Sequence, residues 1–154
     1  MGNQFWRTPQ WLFDELNERF GPFDLDAAAN ESNHKCDRWL GPGGLMESGL
    51  RDDWDDFGKR VFVNPPFRDI MPWIESAADA SRCCLVVVMV LPAELTTGWA
   101  RRVLETSDTI YMLDKRVKFE DPEGKGRSSP AGGTMIAVWE QRQADIKTWR
   151  VGDE

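Results

Sequence analysis

The sequence predicts an α/β fold, a doubly wound sheet with helices on both faces. Three observations lead there. Strand-like and helix-like segments alternate along the chain. Leu85 to Leu91 is apolar at every position, the pattern of a strand buried on both faces of a parallel sheet. The unusual residues, namely Asp26, Asp53-Trp54, Asn64 to Phe67 and Pro92, fall where predicted strands end, and ligands of such sheets bind beyond those ends.

In chain order, Thr8-Pro9 opens a helix as a hydroxyl cap followed by proline at the first helical position. Leu12, Phe13, Leu16 and Phe20 then recur at helical spacing, and Gly21 ends the run. Phe23 to Asp26 reads as a short strand that leaves through Ala27-Ala28-Ala29-Asn30. Residues 31–50 are polar and Gly-rich, with a short helix expected around Lys35 to Leu40. Arg60 to Val63 is a strand stopped by Asn64-Pro65-Pro66. A helix is expected over Asp69 to Arg82, with Ile70, Trp73, Ile74, Ala77 and Ala78 inward. After the central strand come a helix over Thr97 to Glu105 and strands at Thr109 to Leu113, Val117 to Phe119 and Thr134 to Trp139. Glu120 to Gly133 is a turn-rich loop. Residues 1–154 read as one domain with a core over about residues 8–139 and a C-terminal tail over 140–154, which Trp149 tethers. Gly41-Pro42-Gly43-Gly44 lacks the Lys and Ser/Thr of a nucleotide-phosphate loop and reads as an ordinary loop.

The chain has 154 residues, enough for one sizeable core, and a net charge of -7. That charge argues against a protein whose binding rests on phosphate contacts alone, yet a local basic strip can operate within an acidic chain. Arg116, Lys118, Lys125 and Arg127 form such a strip. No apolar run reaches membrane-spanning length and no leader pattern stands at residues 1–7, so a cytoplasmic protein is expected. Cys36, Cys83 and Cys84 suit neither a disulfide framework nor a zinc site, and no metal is expected.

The chemistry concentrates in Val63-Asn64-Pro65-Pro66-Phe67. Neither proline has a backbone N–H and each fixes φ, so the loop is stiff. Asn64 offers an acceptor oxygen and a donor amide, and Phe67 a flat face beside it. That combination suits a planar group bearing an amine. Adenine's amino nitrogen has its lone pair conjugated into the ring and is a poor nucleophile. Two acceptors on its two N–H groups, the Asn64 side-chain oxygen and the Pro65 carbonyl, favour a more pyramidal nitrogen. A base held this way leaves the duplex and stacks on an aromatic ring.

These segments together resemble the phage-type DNA N-6-adenine methyltransferases, the Dam group. The resemblance rests on Thr8-Pro9-Gln10-Trp11-Leu12, Phe23-Asp24-Leu25-Asp26-Ala27-Ala28-Ala29, Asp53-Trp54 and Val63-Asn64-Pro65-Pro66-Phe67. Leu91-Pro92-Ala93 with Trp99, then Arg116-Val117-Lys118-Phe119, continue it, so it runs from about Thr8 to Trp139. It implies a reduced Rossmann-like methyltransferase fold without a separate target-recognition domain, S-adenosylmethionine as methyl donor and DNA adenine as acceptor. It also implies catalysis by Asn64, Pro65, Pro66 and Phe67. It places Thr8, Trp11, Asp26, Ala28, Asp53, Trp54 and Asn64 at the cofactor, with Asp26 on its ammonium, Asp53 on its adenine amine and Trp54 against that ring. Arg116, Lys118, Phe119, Lys125 and Arg127 would face nucleic acid, and Pro92 would shape the pocket floor.

Two departures matter. Ala27-Ala28-Ala29 stands where many amino-methyltransferases carry a Gly-rich loop, and Phe67 where Tyr is often found. Specificity is then expected from short loops such as Asp121 to Gly133. A homodimer embracing the duplex is compatible with so few base-reading loops. Two alternatives stay open at this point: another amine or amide acceptor (cytosine N-4, RNA, a protein glutamine), and a non-catalytic binding module on the same fold.

Overall fold

The computed structural model describes residues 6–121, 123 and 126–140. The chain forms helices α1 (Gln10–Phe20), α2 (Met71–Ala80) and α3 (Gly98–Thr106). Its strands are β1 (Leu25–Asp26), β2 (Arg60–Val63), β3 (Val86–Pro92), β4 (Thr109–Met112), β5 (Phe119–Glu120), β6 (Arg127–Ser128) and β7 (Thr134–Glu140). One five-stranded sheet has the order β1-β2-β3-β7-β4, and β5-β6 make a separate two-stranded ribbon. The C-terminal tail and Trp149 lie outside the described residues.

The sheet is mixed. β1, β2 and β3 are parallel, while β7 is antiparallel to both β3 and β4. The expected doubly wound sheet is present, and its central strand β3 has a parallel neighbour on one side and an antiparallel one on the other. β7 is as apolar as a parallel strand because it too is covered on both faces, with six consecutive buried residues. Period-two alternation divides the core. Val87, Met89 and Leu91 pack with Met135, Ala137, Trp139, Trp73 and Ile74 on the α2 side. Val86, Val88 and Val90 pack with Ile136, Val138, Leu12, Phe13 and Leu16 on the α1 side. Both faces are thus helix-covered, as a doubly wound sheet requires.

Two local expectations give way. Thr8 does not cap α1: Pro9 occupies the cap position without a side-chain bond, and Thr8 is buried at 2% exposure. Lys35 to Leu40 forms no helix. That segment is drawn into extended pairing instead, with an Asp26–Trp39 bridge and backbone bonds from Asp26 N–H to Arg38 and from Leu40 N–H to Asp26. By contrast, Thr97 caps α3 as a hydroxyl should, accepting from the Ala100 N–H at 3.3 Å.

Candidate active site

β1, β2, β3 and β4 all point their carboxyl ends to one edge of the sheet. The gap between β1 and β2 at that edge opens into a cleft of about 160 Å³. Four elements wall it: the segment Trp6-Arg7-Thr8, the turn after β1 (Asp26, Ala28, Ala29), the loop of Gly41-Pro42 and Glu47-Ser48-Gly49, and Asn64 with Pro66 after β2. Trp73 of α2 and Phe62 complete it.

Asp26 is the electrostatic centre. It is 2% exposed, and its carboxylate accepts from the Lys35 N–H at 2.9 Å and the Ala28 N–H at 3.3 Å. Burial pushes its carboxyl up to about 6, against the opposing pull of those two N–H groups. Lys35 also lines the cleft, and burial lowers its amine while Glu120 and Asp26 hold it up. The Thr8 hydroxyl, buried against the same space, has no hydrogen-bond partner among the described residues. A carboxylate whose charge burial disfavours, and a buried hydroxyl without a partner among the described residues, are groups that a ligand bearing an ammonium would satisfy.

The Ala27-Ala28-Ala29 turn gets its close backbone approach from the loop packed directly against it. A Cβ on Gly41 would strike the Ala29 carbonyl, and one on Gly49 the Ala27 carbonyl and the Trp73 ring. Gly41 also holds φ 133°, a backbone region that glycine favours. The glycines missing from the turn therefore stand opposite it. The short Gly run, read from sequence as a plain loop, proves to be a cleft wall at Gly41 and Pro42.

Asn64 sits where the cleft opens toward the second half of the site. Its side-chain Nδ2 donates to the Trp6 carbonyl at 2.9 Å. Only the nitrogen can donate there, so the amide is oriented and Oδ1 is the atom left to accept. Pro65 is buried and Pro66 lines the cleft. Phe67 meets Phe119 edge to face, with centroids 5.4 Å apart, so two rings from distant segments form one wall.

Of the residues named from sequence, Thr8, Asp26, Ala28, Asn64 and Pro66 converge on this cleft. Others do not line it. Asp53 makes a two-pronged ion pair with Arg51 at 2.8 Å, which holds its carboxyl below the usual range. Trp54 is fully buried; its indole donates to the Gly49 carbonyl at 2.8 Å and packs near Trp73. It stands behind the cleft wall, and Trp73 presents the ring to the cleft. Trp11 is 39% exposed, with the Lys115 amine 4.7 Å over its ring. Arg116 spends its guanidinium on the Pro130 and Ala131 carbonyls at 2.8 and 2.9 Å. Phe119 is buried, Lys118 and Arg127 are exposed, and Lys125 lies outside the described residues. Pro92 ends β3 in register with Thr134.

Fold and site together define a class. The structure matches that of a Pyrococcus horikoshii protein provisionally described as an RNA methyltransferase, with a TM-score of 0.51 at 11% identity, covering 88% of this chain and 87% of that one. That likeness establishes the methyltransferase-type α/β fold. Within that class, residues 2–151 match the family profile of DNA N-6-adenine-methyltransferase (Dam), and the chain belongs to that family. A DNA N-6-adenine-methyltransferase of Escherichia phage T1 is 28% identical over 119 residues, which are 77% of this chain and 48% of that protein. This chain thus spans about half the length of that relative. YfdM of Escherichia coli K12, provisionally described as a methyltransferase, is 34% identical over 77 residues, 47% of this chain and 76% of that protein. No helix among the described residues is long and apolar enough to cross a membrane.

Proposed function

We propose that the chain methylates the exocyclic amine of adenine in DNA, with S-adenosylmethionine held in the β1–β2 cleft. The observation that carries this reading is the Asn64 amide. It is pinned by its nitrogen with its oxygen left to accept, at the mouth of a cleft that holds a buried carboxylate and a buried hydroxyl without a partner among the described residues.

The residues present fit that cofactor. Asp26 would take its ammonium, and Thr8 would give its hydroxyl to the methionine end. Trp73 offers a flat apolar face, and Glu47 and Ser48 offer polar atoms along the same wall. Bound there, the cofactor supplies a methyl group on a positively charged sulfur. The protein's own work is positioning. Asn64 Oδ1 and the Pro65 carbonyl accept from the two N–H groups of the target amine. That draws its lone pair out of conjugation. Phe67, backed edge to face by the buried Phe119, offers its ring to the flipped base, and the stiff Pro-Pro backbone keeps the acceptors from yielding. Exposed Lys118 and Arg127, on and beside the β5–β6 ribbon, are placed for phosphate contacts.

The test is transfer of labelled methyl from S-adenosylmethionine to unmethylated duplex DNA, followed by nucleoside analysis, with Asn64→Ala in parallel. N-6-methyladenine that disappears in the variant is the expected result. Label in RNA or protein instead moves the acceptor. Cofactor binding without turnover on any acceptor supports the binding-module alternative.

A further inference from the structure

Trp6-Arg7-Thr8 is a strap across the carboxyl edge of the sheet, and it touches every part of the site. All three residues line the cofactor cleft. Arg7 pairs with Glu120 as an antiparallel bridge, donating to its carbonyl at 2.8 Å and accepting from its N–H at 3.0 Å. Glu120 belongs to β5, whose other edge pairs with β6. The strap is therefore joined to the β5 edge of the β5–β6 ribbon by one antiparallel bridge. One residue upstream, the Trp6 carbonyl accepts from Asn64 Nδ2. One residue before Glu120, the Phe119 ring meets Phe67. The loop from Asn64 to Phe67 is thus held at both ends by the same bridged unit of strap and ribbon.

We infer that the Trp6 main-chain carbonyl, held in place by the Arg7–Glu120 backbone pair, is the positioning group that sets the catalytic orientation of the Asn64 amide. The inference rests on the reading that Asn64 accepts from the target amine. A side-chain amide can present either end to its surroundings. A carbonyl fixed on one side rejects the oxygen and selects the nitrogen, leaving Oδ1 toward the acceptor. Because the ribbon carrying exposed Arg127 is what fixes that carbonyl, the DNA-facing element and the catalytic amide share one hydrogen-bonded frame.

The experiment compares Arg7→Ala with Arg7→Pro. Both lose the guanidinium; only the proline loses the N–H given to Glu120. The expected result is a kcat about tenfold lower for Arg7→Pro than for Arg7→Ala, the scale of one lost positioning bond, with equal KM for the cofactor. In an Asn64→Asp background, which has no N–H for the Trp6 carbonyl, the proline effect disappears. Equal kcat for Arg7→Ala and Arg7→Pro, or a proline effect that survives in Asn64→Asp, overturns the inference. Glu120→Ala against Glu120→Pro makes the same comparison from the other side, should Arg7→Pro melt below the assay temperature. If the native chain makes no N-6-methyladenine, it is the acceptor reading that has failed. The strap is then judged by NMR: slow exchange of the Asn64 side-chain amide protons in Arg7→Ala, lost in Arg7→Pro, supports it, and no difference overturns it.

Discussion

Replacing Asp26 by Asn separates stability from cofactor affinity. The carboxyl rises from 3.8 to about 6 because burial disfavours its charge. At 1.36 kcal/mol per unit, holding it ionised in the empty cleft at neutral pH costs about 3 kcal/mol. Asp26→Asn removes that cost. Its Oδ1 still accepts one N–H, but its amide now faces the second, returning roughly 1–3 kcal/mol. The variant should therefore melt at or slightly above the native temperature. Cofactor binding should move the other way, since an ammonium in the cleft loses its counter-charge. The pH dependence has a definite sign. The folded carboxyl titrates near 6 and the unfolded one near 3.8, so the empty native protein gains stability from this group as pH falls from about 6 toward 3.8. Affinity for a cationic ligand does the reverse, flat above about 6 and weakening up to tenfold per unit below. Calorimetric titration with S-adenosylmethionine from pH 5 to 8, native against Asp26→Asn, reads both. Native affinity that ignores pH, or a variant that binds as tightly at pH 7.5, refutes the ammonium–carboxylate reasoning.

Other consequences follow from single contacts. Thr8→Val removes a buried hydroxyl that lacks a partner among the described residues, so thermal unfolding should show about 1 kcal/mol of stabilisation while calorimetry shows weaker cofactor binding. Trp54→Phe removes the indole donor from the Gly49 carbonyl, which keeps the Arg51 N–H at 2.9 Å; a loss of about 1 kcal/mol in urea unfolding is expected, with cofactor affinity falling as the wall loosens. Arg116→Ala should destabilise, because it frees the Pro130 and Ala131 carbonyls, whereas Lys118→Ala should leave unfolding unchanged and lower the salt dependence of DNA affinity by about one counterion. Fluorescence anisotropy over a salt series distinguishes these two.

Elements whose signal is local were legible in the residues. The alternating apolar faces of β3 and β7, the helical spacing of α1 and the Pro-Pro stop after β2 all survive into the structure within a residue or two. Asp26 and Asn64 were legible for the same reason, each marking a strand end. Lys35 to Leu40 was not, because its backbone groups are claimed by β1 rather than by one another. Asp53 stands in an acidic run, and a neighbour two residues away, Arg51, takes it. Trp54 looks from sequence like a ring beside a ligand; its indole is spent on Gly49 one layer back.

The sequence by itself determined the helix over α1, the strands β2, β3 and β7, which of their faces are apolar, and that a stiff amide-bearing loop ends the second strand. Those properties depend on residues a few positions apart, where periodicity and proline act. Only the tertiary structure decided that β7 runs against its neighbours, that glycines at 41 and 49 face the alanine turn, and that the Trp6 carbonyl accepts from the Asn64 amide. Strand direction leaves no mark on a pattern apolar on both faces, and the Trp6–Asn64 bond joins groups 58 residues apart, beyond the reach of any local spacing.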